Sequence, residues 1–320
     1  MSLSHAEVER FHEDGYLVKR DVIPPADFTA IERALAGVVD EQITRIAGEG
    51  VIDETFADAS FERRLALVCE RYPDSLWEVM GPIFSGRFTG PEIFHAITHP
   101  RLLSCVESVV GPTIIGSSVY RVRPKLPNWD RGEVPWHQDS GYFLAHCDDA
   151  LVLTCWLPLI DVDENNGCLF VIPGSHRDGI ARHYTGGHGG YLEIVEEDLR
   201  GEKPVPLPMR KGDVLFLTNL TAHASFVNRT EDVRWSLDLR YQDGSVPNNI
   251  GENPEDYTPE RDPVTMACHP PEADFVIRDP DDPTREVHDA SVFHEMRERF
   301  FAGRAYNPGR GWTPLHERGR

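Results

Sequence analysis

Apolar residues recur at helical spacing through the first third of the chain. Ser4, followed three positions later by Glu7, is typical of a helix start, and Gly15 is placed to end that helix. Further amphipathic helices are predicted over residues 24–50, 61–72 and 99–110. This part of the protein is therefore expected to form a helical layer.

The period changes in the middle of the chain, where short runs rich in β-branched and aromatic residues lie between turn-forming residues. Strands are predicted over residues 113–122, 150–159, 168–173, 213–218 and 233–242. The last of these alternates cleanly, with Val233, Trp235, Leu237, Leu239 and Tyr241 on one face. The other face carries Arg234, Ser236, Asp238, Arg240 and Gln242. Short strands separated by turns favour a sandwich or barrel over a parallel sheet.

The chain is predicted to form a single, mainly β domain with a helical layer, an α+β arrangement that covers residues 1–320. The helical N-terminal part would span residues 1–111, the β core 112–245 and an irregular C-terminal wrap 246–320. The C-terminal part is rich in Pro and Asp, and a helix is expected near its end, over roughly residues 289–302.

Composition narrows the classes of function. A formal net charge of −21 argues against a nucleic-acid partner, which needs a basic face, and more weakly against anionic membranes. No apolar run approaches the roughly 18 residues of a membrane span, and residues 1–16 lack the pattern of a signal peptide. A cytoplasmic location is therefore expected, with the six scattered cysteines as reduced, mostly buried thiols.

One short spacing carries candidate metal chemistry. A histidine stands two positions before an aspartate at His12–Asp14, His137–Asp139 and His146–Asp148. In a strand this spacing places both side chains on one face. The first copy precedes Gly15 at a predicted helix end, where a turn is favoured, and the third lies in a polar loop. The second copy follows Pro135 in a β segment with apolar neighbours and is the best candidate.

A metal ion needs a further ligand from elsewhere in the chain, and His223 is the best candidate. Two histidines with one carboxylate form the ligand set of non-haem iron(II) oxygenases. Arg234 follows eleven residues later and offers a guanidinium fork that suits a carboxylate. Ser225 could donate to the same carboxylate. The alternative for Arg234 is a structural ion pair with Asp232 or Asp238.

Several motifs together resemble the phytanoyl-CoA dioxygenase family, from about residue 8 to residue 245. They are FHEDGYLVKRDVI (11–23), WHQD (136–139), Trp156, DENNGCLFVIPGSH (163–176), KGDVLF (211–216), and His223-x-Ser225 with Arg234. The resemblance implies a double-stranded β-helix, a jelly-roll or cupin-like fold, that uses Fe(II), 2-oxoglutarate and O2. The last 75 residues carry no motif of the family.

By this resemblance, His137, Asp139 and His223 would be the iron ligands. Arg234 and Ser225 would hold the distal carboxylate of 2-oxoglutarate, although a serine near a strand start often bonds its own backbone instead. Trp156 would line the co-substrate pocket, with plain core packing as an equal alternative. Related halogenases replace the aspartate with a small residue, so the aspartate found here favours hydroxylation.

Other polar residues have weaker claims. His176 is expected to be structural and not a ligand. Residues 181–194 are expected to form a flexible surface excursion, and the alternative is a lid whose His183, Tyr184 or His188 touches the substrate. Three alternating cations are expected to be solvated charges of an edge strand, although one could face the pocket. These are Arg121, Arg123 and Lys125.

The resemblance thus predicts an enzyme that hydroxylates a small molecule at an unactivated C–H bond and releases succinate and CO2. Two alternatives stay open: a cupin-like metalloenzyme without 2-oxoglutarate, and a non-catalytic binding module on the same fold. The acidic composition disfavours a CoA thioester, whose charges would meet no visible basic patch. Neither the identity of the substrate nor an oligomeric state follows from the sequence.

Overall fold

The structure is a computed structural model that describes residues 2–84, 88–143, 145–251, 253, 273–302 and 310–318. The helices of this part of the chain are α1 (His5–Asp14), α2 (Thr29–Gly48), α3 (Phe61–Arg71), α4 (Leu76–Phe84), α5 (Pro91–Ile97), α6 (Pro100–Val110) and α7 (Ala290–Ala302). Its strands are β1 (Tyr16–Lys19), β2 (Ile114–Lys125), β3 (Val134–His137), β4 (Leu153–Pro158), β5 (Leu169–Val171), β6 (Val205–Leu207), β7 (Val214–Leu217), β8 (His223–Ser225), β9 (Arg234–Asp243) and β10 (Asp274–Arg278).

The strands form two antiparallel sheets of a jelly roll. The larger sheet has the strand order β1-β7-β4-β9-β2-β10, and the smaller has the order β3-β8-β5-β6. Strand β9 is central, paired with β4 on one side and β2 on the other. The predicted mainly β jelly roll with a helical layer is confirmed.

The helices cover one face of the larger sheet. Leu35 and Ile43 of α2 and Leu103 of α6 belong to the same core as Trp235 and Leu239 of β9. Burying each such side chain contributes roughly 1.5–3 kcal/mol, so the alternation along β9 determines which of its faces meets the helices. The polar face of β9 consequently points away from the helices, toward the smaller sheet.

The structure adds elements that the sequence pattern did not predict. They are the helices α4 and α5 and the strands β1, β6, β8 and β10. These strands are only three to five residues long and acquire their hydrogen bonds from distant partners, which a local pattern does not reveal. Strand β10 comes from the segment expected to be irregular and pairs with β2, so β2 is not an edge strand. The predicted final helix corresponds to α7.

The burial of the cysteines agrees with the expectation of mostly buried thiols. Cys105, Cys147, Cys155 and Cys168 are buried, Cys69 is half-buried, and Cys268 lies outside the described residues. None of the described helices combines the length and the apolar character that crossing a membrane requires.

Candidate metal centre

Two histidines lie side by side where β3 and β8 pair. His137 is the last residue of β3 and is the antiparallel partner of His223, the first residue of β8, with ring centroids 4.2 Å apart. Each Nδ1 lies against a backbone carbonyl two residues earlier, that of Pro135 at 2.8 Å and that of Thr221 at 2.9 Å. A carbonyl oxygen only accepts, so each Nδ1 carries a proton and each Nε2 is the nitrogen left to bind a metal.

Asp139 follows β3 in a 3-10 turn (Asp139–Gly141). His137 and Asp139 therefore do not lie on one strand, contrary to the expectation from their spacing. The strand ends because the Gln138 backbone N–H donates to Nε2 of His183 at 3.0 Å and not to a neighbouring strand. The Ser140 N–H, two residues further on, donates to the Asn219 carbonyl at 2.9 Å. These contacts turn the chain back toward β8.

The turn nevertheless brings the predicted ligand set together. One ligand atom each from His137, Asp139 and His223 lies within 4.8 Å of the other two, and all three residues are buried. Two imidazoles and one carboxylate arranged this closely suit a divalent transition metal and leave further coordination positions open. The donor set present here therefore fits iron(II).

The surroundings of Asp139 keep its carboxylate ionised. The Thr154 hydroxyl donates to Oδ2 at 2.5 Å, and Arg240 Nη2 donates to Oδ1 at 3.1 Å. Burial alone would raise the pKa of this carboxyl, but Arg240, the two histidines and Thr154 hold that pKa below its usual range. Burial and the neighbouring His223 also lower the pKa of His137 well below its ordinary value. Both groups are thus in the protonation states that bind a cation.

Arg234 is a buried cation in the same site. It is 2% exposed, and burial lowers its pKa to about 10, so it stays charged at neutral pH. Nη1 donates to the Ser236 hydroxyl at 2.6 Å and Nη2 to the Ser225 hydroxyl at 3.0 Å, while Nε has no hydrogen-bond partner in the part of the chain that the structure describes. Among the described residues no carboxylate forms an ion pair with it; Asp238, one of the suggested partners, pairs with Arg123 at 2.6 Å.

Ser225 and Trp156 both contact Arg234. The Ser225 hydroxyl accepts from Arg234 and donates to the Gly167 carbonyl at 3.0 Å, so its proton is already used and it orients the guanidinium. The guanidinium carbon lies 5.4 Å from the centroid of the Trp156 ring, which is a cation–π distance. Trp156 also packs with Leu169 and Leu215 of the core between the sheets, so it is at once pocket wall and core residue.

One cavity joins these groups. Its walls include the three candidate ligands, Arg234, Ser225 and Trp156. They also include residues that the sequence reading did not assign to the site, namely Phe84, Trp129, Thr154, Tyr191 and Arg240. Thr154 and Arg240 contact Asp139 across long distances in sequence. The sequence carried no local signal for Thr154, whereas the alternation of segment 233–242 already placed Arg240 on the polar face.

The expectation that Arg123 and Lys125 are solvated edge charges is wrong. Both line the cavity, where Arg123 pairs with Asp238 of the neighbouring strand β9. The Lys125 ammonium donates to the carbonyls of Gly132 (2.6 Å), Ser225 (2.9 Å) and Phe226 (2.7 Å) and is 4% exposed. Arg121, the third cation, is half-buried and does not line the cavity.

Residues 181–194 are hydrogen-bonded to the site and are not the loose excursion that the glycines suggested. The Ile194 N–H donates to the Trp136 carbonyl at 2.7 Å, and the Leu192 N–H donates to the Tyr142 hydroxyl at 2.9 Å. Of the aromatic residues in this segment, Tyr191 lines the cavity. His183, Tyr184 and His188, the three residues considered for substrate contact, are not among the lining residues.

The remaining histidine candidates have structural partners. His176 Nε2 lies 3.0 Å from the His12 carbonyl at the end of α1, which supports the structural role expected for it. Gly15, just after the first His-x-Asp copy, adopts a left-handed conformation with φ 81° and ends α1. Asp148 of the third copy forms a bidentate ion pair with Arg310, with both contacts at 2.7 Å.

A jelly roll with two histidines and one carboxylate facing an arginine-lined cavity defines a non-haem metal-dependent class of protein. The family model of phytanoyl-CoA dioxygenase matches residues 11–236. The chain therefore belongs to the phytanoyl-CoA dioxygenase family, as its motifs predicted.

Individual relatives are distant. The chain is 24% identical over 239 residues to the human peroxisomal phytanoyl-CoA dioxygenase, a match that spans 72% of this chain and just under two thirds, 66%, of the human protein. It is also 24% identical to phytanoyl-CoA dioxygenase domain-containing protein 1 of Danio rerio, over 72% of this chain and 87% of that protein. A solved structure described as the non-heme monooxygenase ThoJ, in its apo form, is similar in fold, with a TM-score of 0.56, 17% identity and coverage of 92% and 96%.

Proposed function

We propose that this protein is an Fe(II)- and 2-oxoglutarate-dependent dioxygenase that hydroxylates a small molecule at an unactivated C–H bond and releases succinate and CO2. One observation carries the proposal: the buried cluster of His137, Asp139 and His223 shares a cavity with Arg234, a buried cation that has no carboxylate partner among the described residues. Membership of the phytanoyl-CoA dioxygenase family supports the same two cofactors.

The metal part of the proposal rests on how the ligands are held. The two Nδ1–H groups are tied to backbone carbonyls, and Asp139 is held by Thr154 and Arg240, so the donor atoms are oriented before metal binds. Iron(II) bound there would activate dioxygen when 2-oxoglutarate is also present. The protein's own contribution is orientation of the reactants and exclusion of water from a buried cavity.

The co-substrate part of the proposal rests on Arg234. A charged group buried without a counter-charge is costly, and an anionic ligand removes that cost. A carboxylate could accept from Nε, the donor without a partner, while Ser236 and Ser225 fix the direction of the guanidinium. We infer that the distal carboxylate of 2-oxoglutarate binds Arg234 over the Trp156 ring, with Ser225 acting mainly through the arginine.

Hydroxylation is the outcome favoured by Asp139. Its carboxylate occupies the place that a halide would need, and it is anchored by hydrogen bonds to both oxygens. Of the two rival classes, a metalloenzyme without 2-oxoglutarate would leave the charge of Arg234 uncompensated. A non-catalytic binding module would not require a carboxylate kept ionised beside two histidines.

The rest of the cavity favours an uncharged substrate with an apolar or aromatic surface. Arg123 is neutralised by Asp238, and the donors of Lys125 are used on carbonyls. Trp129 and Phe84 line the cavity and each contacts Trp77 at 5.8 Å between ring centroids. Trp77 is 49% exposed, so an aromatic surface runs from the cavity to solvent. We propose that this surface, defined by Trp77, Phe84 and Trp129, binds the substrate.

Succinate formation tests the function. The protein would be incubated with iron(II), ascorbate, O2 and 2-oxoglutarate, and challenged with a library of small molecules in uncharged and anionic forms. We expect slow succinate release without substrate, stimulation by uncharged ring compounds, and no release by the Asp139→Ala variant. No succinate from the metal-loaded parent under any condition would refute the proposal, and stimulation confined to CoA thioesters would refute the substrate class.

A further inference from the structure

The turn that carries Asp139 is held from outside the region that the family model matches. We propose that a C-terminal brace, residues 310–315, sets the position of the Asp139 carboxylate, with Arg310 and Trp312 as positioning residues for metal binding. The proposal rests on the proposed function, because it assumes that Asp139 is a metal ligand. The family match ends at residue 236, so the brace is a feature of this chain's own C-terminal part.

The brace contacts the backbone of the turn directly after Asp139. Arg310 Nη1 donates to the Ser140 carbonyl at 3.0 Å, and Trp312 Nε1 donates to the Gly141 carbonyl at 2.8 Å. Two consecutive carbonyls of the ligand turn are therefore fixed by side chains that lie about 170 residues away in sequence. Backbone groups of a short turn otherwise have to bond to water or shift.

Arg310 is itself held in place. Its guanidinium forms two parallel hydrogen bonds with the Asp148 carboxylate, both 2.7 Å long, and the two side chains are only 10% and 19% exposed. A planar bidentate pair of this kind fixes the direction of the guanidinium as well as its position. The Arg310 guanidinium carbon also lies 5.2 Å from the centroid of the Trp312 ring, so the two brace residues support each other.

The brace reaches the backbone on the other side of Asp139 through His183. The Trp312 ring lies 5.3 Å from the His183 ring, and His183 Nε2 accepts the N–H of Gln138, the residue between the two candidate ligands of β3 and the turn. Backbone groups at Gln138, Ser140 and Gly141 thus all depend on one cluster. The backbone is therefore held by hydrogen bonds before and after Asp139, while the Asp139 side chain faces the other two candidate ligands.

The brace is anchored to the segment that covers the site. The Thr185 N–H donates to the Thr313 carbonyl at 3.1 Å, and the Leu315 N–H donates to the Thr185 carbonyl at 2.9 Å. This pairing connects the brace to residues 181–194, whose Tyr191 lines the cavity. The C-terminal part of the chain therefore completes the metal site from behind, although it supplies no ligand in the described residues.

Metal affinity in the absence of turnover is the direct test. Changes in groups that orient metal ligands typically weaken binding by roughly tenfold to a hundredfold. We expect Arg310→Gln and Trp312→Phe each to weaken binding of Co(II) by at least roughly tenfold in anaerobic calorimetry and to alter the visible absorption of the Co(II) complex. Arg310→Lys keeps the charge but not the planar guanidinium, so its affinity for Co(II) should lie between those of Arg310→Gln and the parent.

A matched control separates positioning from general damage to the C-terminal part. Arg318 lies just beyond the brace and pairs with Glu197 at the surface at 3.1 Å, so Arg318→Gln should bind Co(II) like the parent. Circular dichroism of each metal-free variant checks folding, and Trp312→Phe, which loses one hydrogen bond, decides the outcome if Arg310→Gln does not fold.

Three results would overturn the brace. Parent-like Co(II) affinity in folded Arg310→Gln and Trp312→Phe refutes it and leaves the proposed function standing. Equal weakening by Arg318→Gln shows a nonspecific effect of the segment and also refutes it. A parent protein that binds neither Co(II) nor Fe(II) refutes the metal site and the brace together.

Discussion

Replacing Arg234 with methionine separates the co-substrate hypothesis from a purely structural role of this arginine. Arg234 is 2% exposed, and its guanidinium donates to two serine hydroxyls and lies beside the Trp156 ring. Methionine has similar length, suits the apolar surroundings and removes the charge. Removing one partner of a buried charge pair typically costs about 2–5 kcal/mol of binding free energy. Taking about 3 kcal/mol, we expect the Kd for 2-oxoglutarate to rise roughly a hundredfold.

Arg234→Met should weaken the binding of 2-oxoglutarate without lowering the free energy of unfolding of the ligand-free protein. A buried cation without a carboxylate partner does not stabilise the ligand-free fold, so its replacement by an apolar side chain is neutral or stabilising. Adding 2-oxoglutarate at a hundred times the parent's Kd should stabilise the parent by about 2.7 kcal/mol. At the same concentration the methionine variant should gain only about 0.4 kcal/mol. Arg234→Lys, which keeps the charge but not the fork, should lie between the two.

Anaerobic calorimetry with Mn(II)-loaded protein measures the two Kd values, and thermal unfolding with and without 2-oxoglutarate measures the stabilities. Arg20→Met serves as the control for ligand binding, since the partly exposed Arg20 pairs with Asp213 outside the cavity. Binding of 2-oxoglutarate by Arg234→Met within about threefold of the parent would refute the reasoning, because a difference that small is below about 1 kcal/mol. A large loss of ligand-free stability would instead favour the structural role.

Three further changes follow from the contacts around the site. Thr154→Val, which removes the hydroxyl that donates to Asp139, should weaken Co(II) binding roughly tenfold in the same calorimetry, while parent-like affinity would contradict that role. Lys125→Met leaves three carbonyls without their donor and should lower the free energy of unfolding by about 2–4 kcal/mol in urea titrations, so an unchanged midpoint would count against it. Burial lowers the pKa of His183 to about 4 from an ordinary value near 6.5. The unfolded chain therefore binds the extra proton first, and between pH 7 and pH 5 the parent should lose about 2 kcal/mol more stability than His183→Gln; identical pH profiles would exclude this linkage.

The sequence was most informative where function depends on local patterns. The ligands His137 and Asp139 lie within three residues, and the alternation of segment 233–242 placed Arg234 on its polar face. His223 and Arg234 were then found from their order and spacing after a predicted strand. The structure brings the three candidate ligands within 4.8 Å of one another, and the ion pair with Asp232 or Asp238 that was considered for Arg234 does not form.

The sequence was least informative where long-range pairing decides the environment. Lys125 looked like an edge-strand charge because two of the carbonyls that bury its ammonium, those of Ser225 and Phe226, lie about 100 residues further along the chain. Tyr191 lines the cavity because its segment is bonded to Trp136 and Tyr142, which no periodicity reveals. The contact of Arg310 with the turn after Asp139 is likewise not visible in the sequence, because it joins residues about 170 positions apart.

The central claim is that His137, Asp139 and His223 hold iron together with 2-oxoglutarate. Its most direct test is anaerobic addition of one equivalent of iron(II) and excess 2-oxoglutarate, followed by visible absorption. We expect a weak metal-to-ligand charge-transfer band that saturates at one iron per chain and is absent from His223→Ala. An iron-loaded, folded parent that shows no such band with 2-oxoglutarate would contradict it.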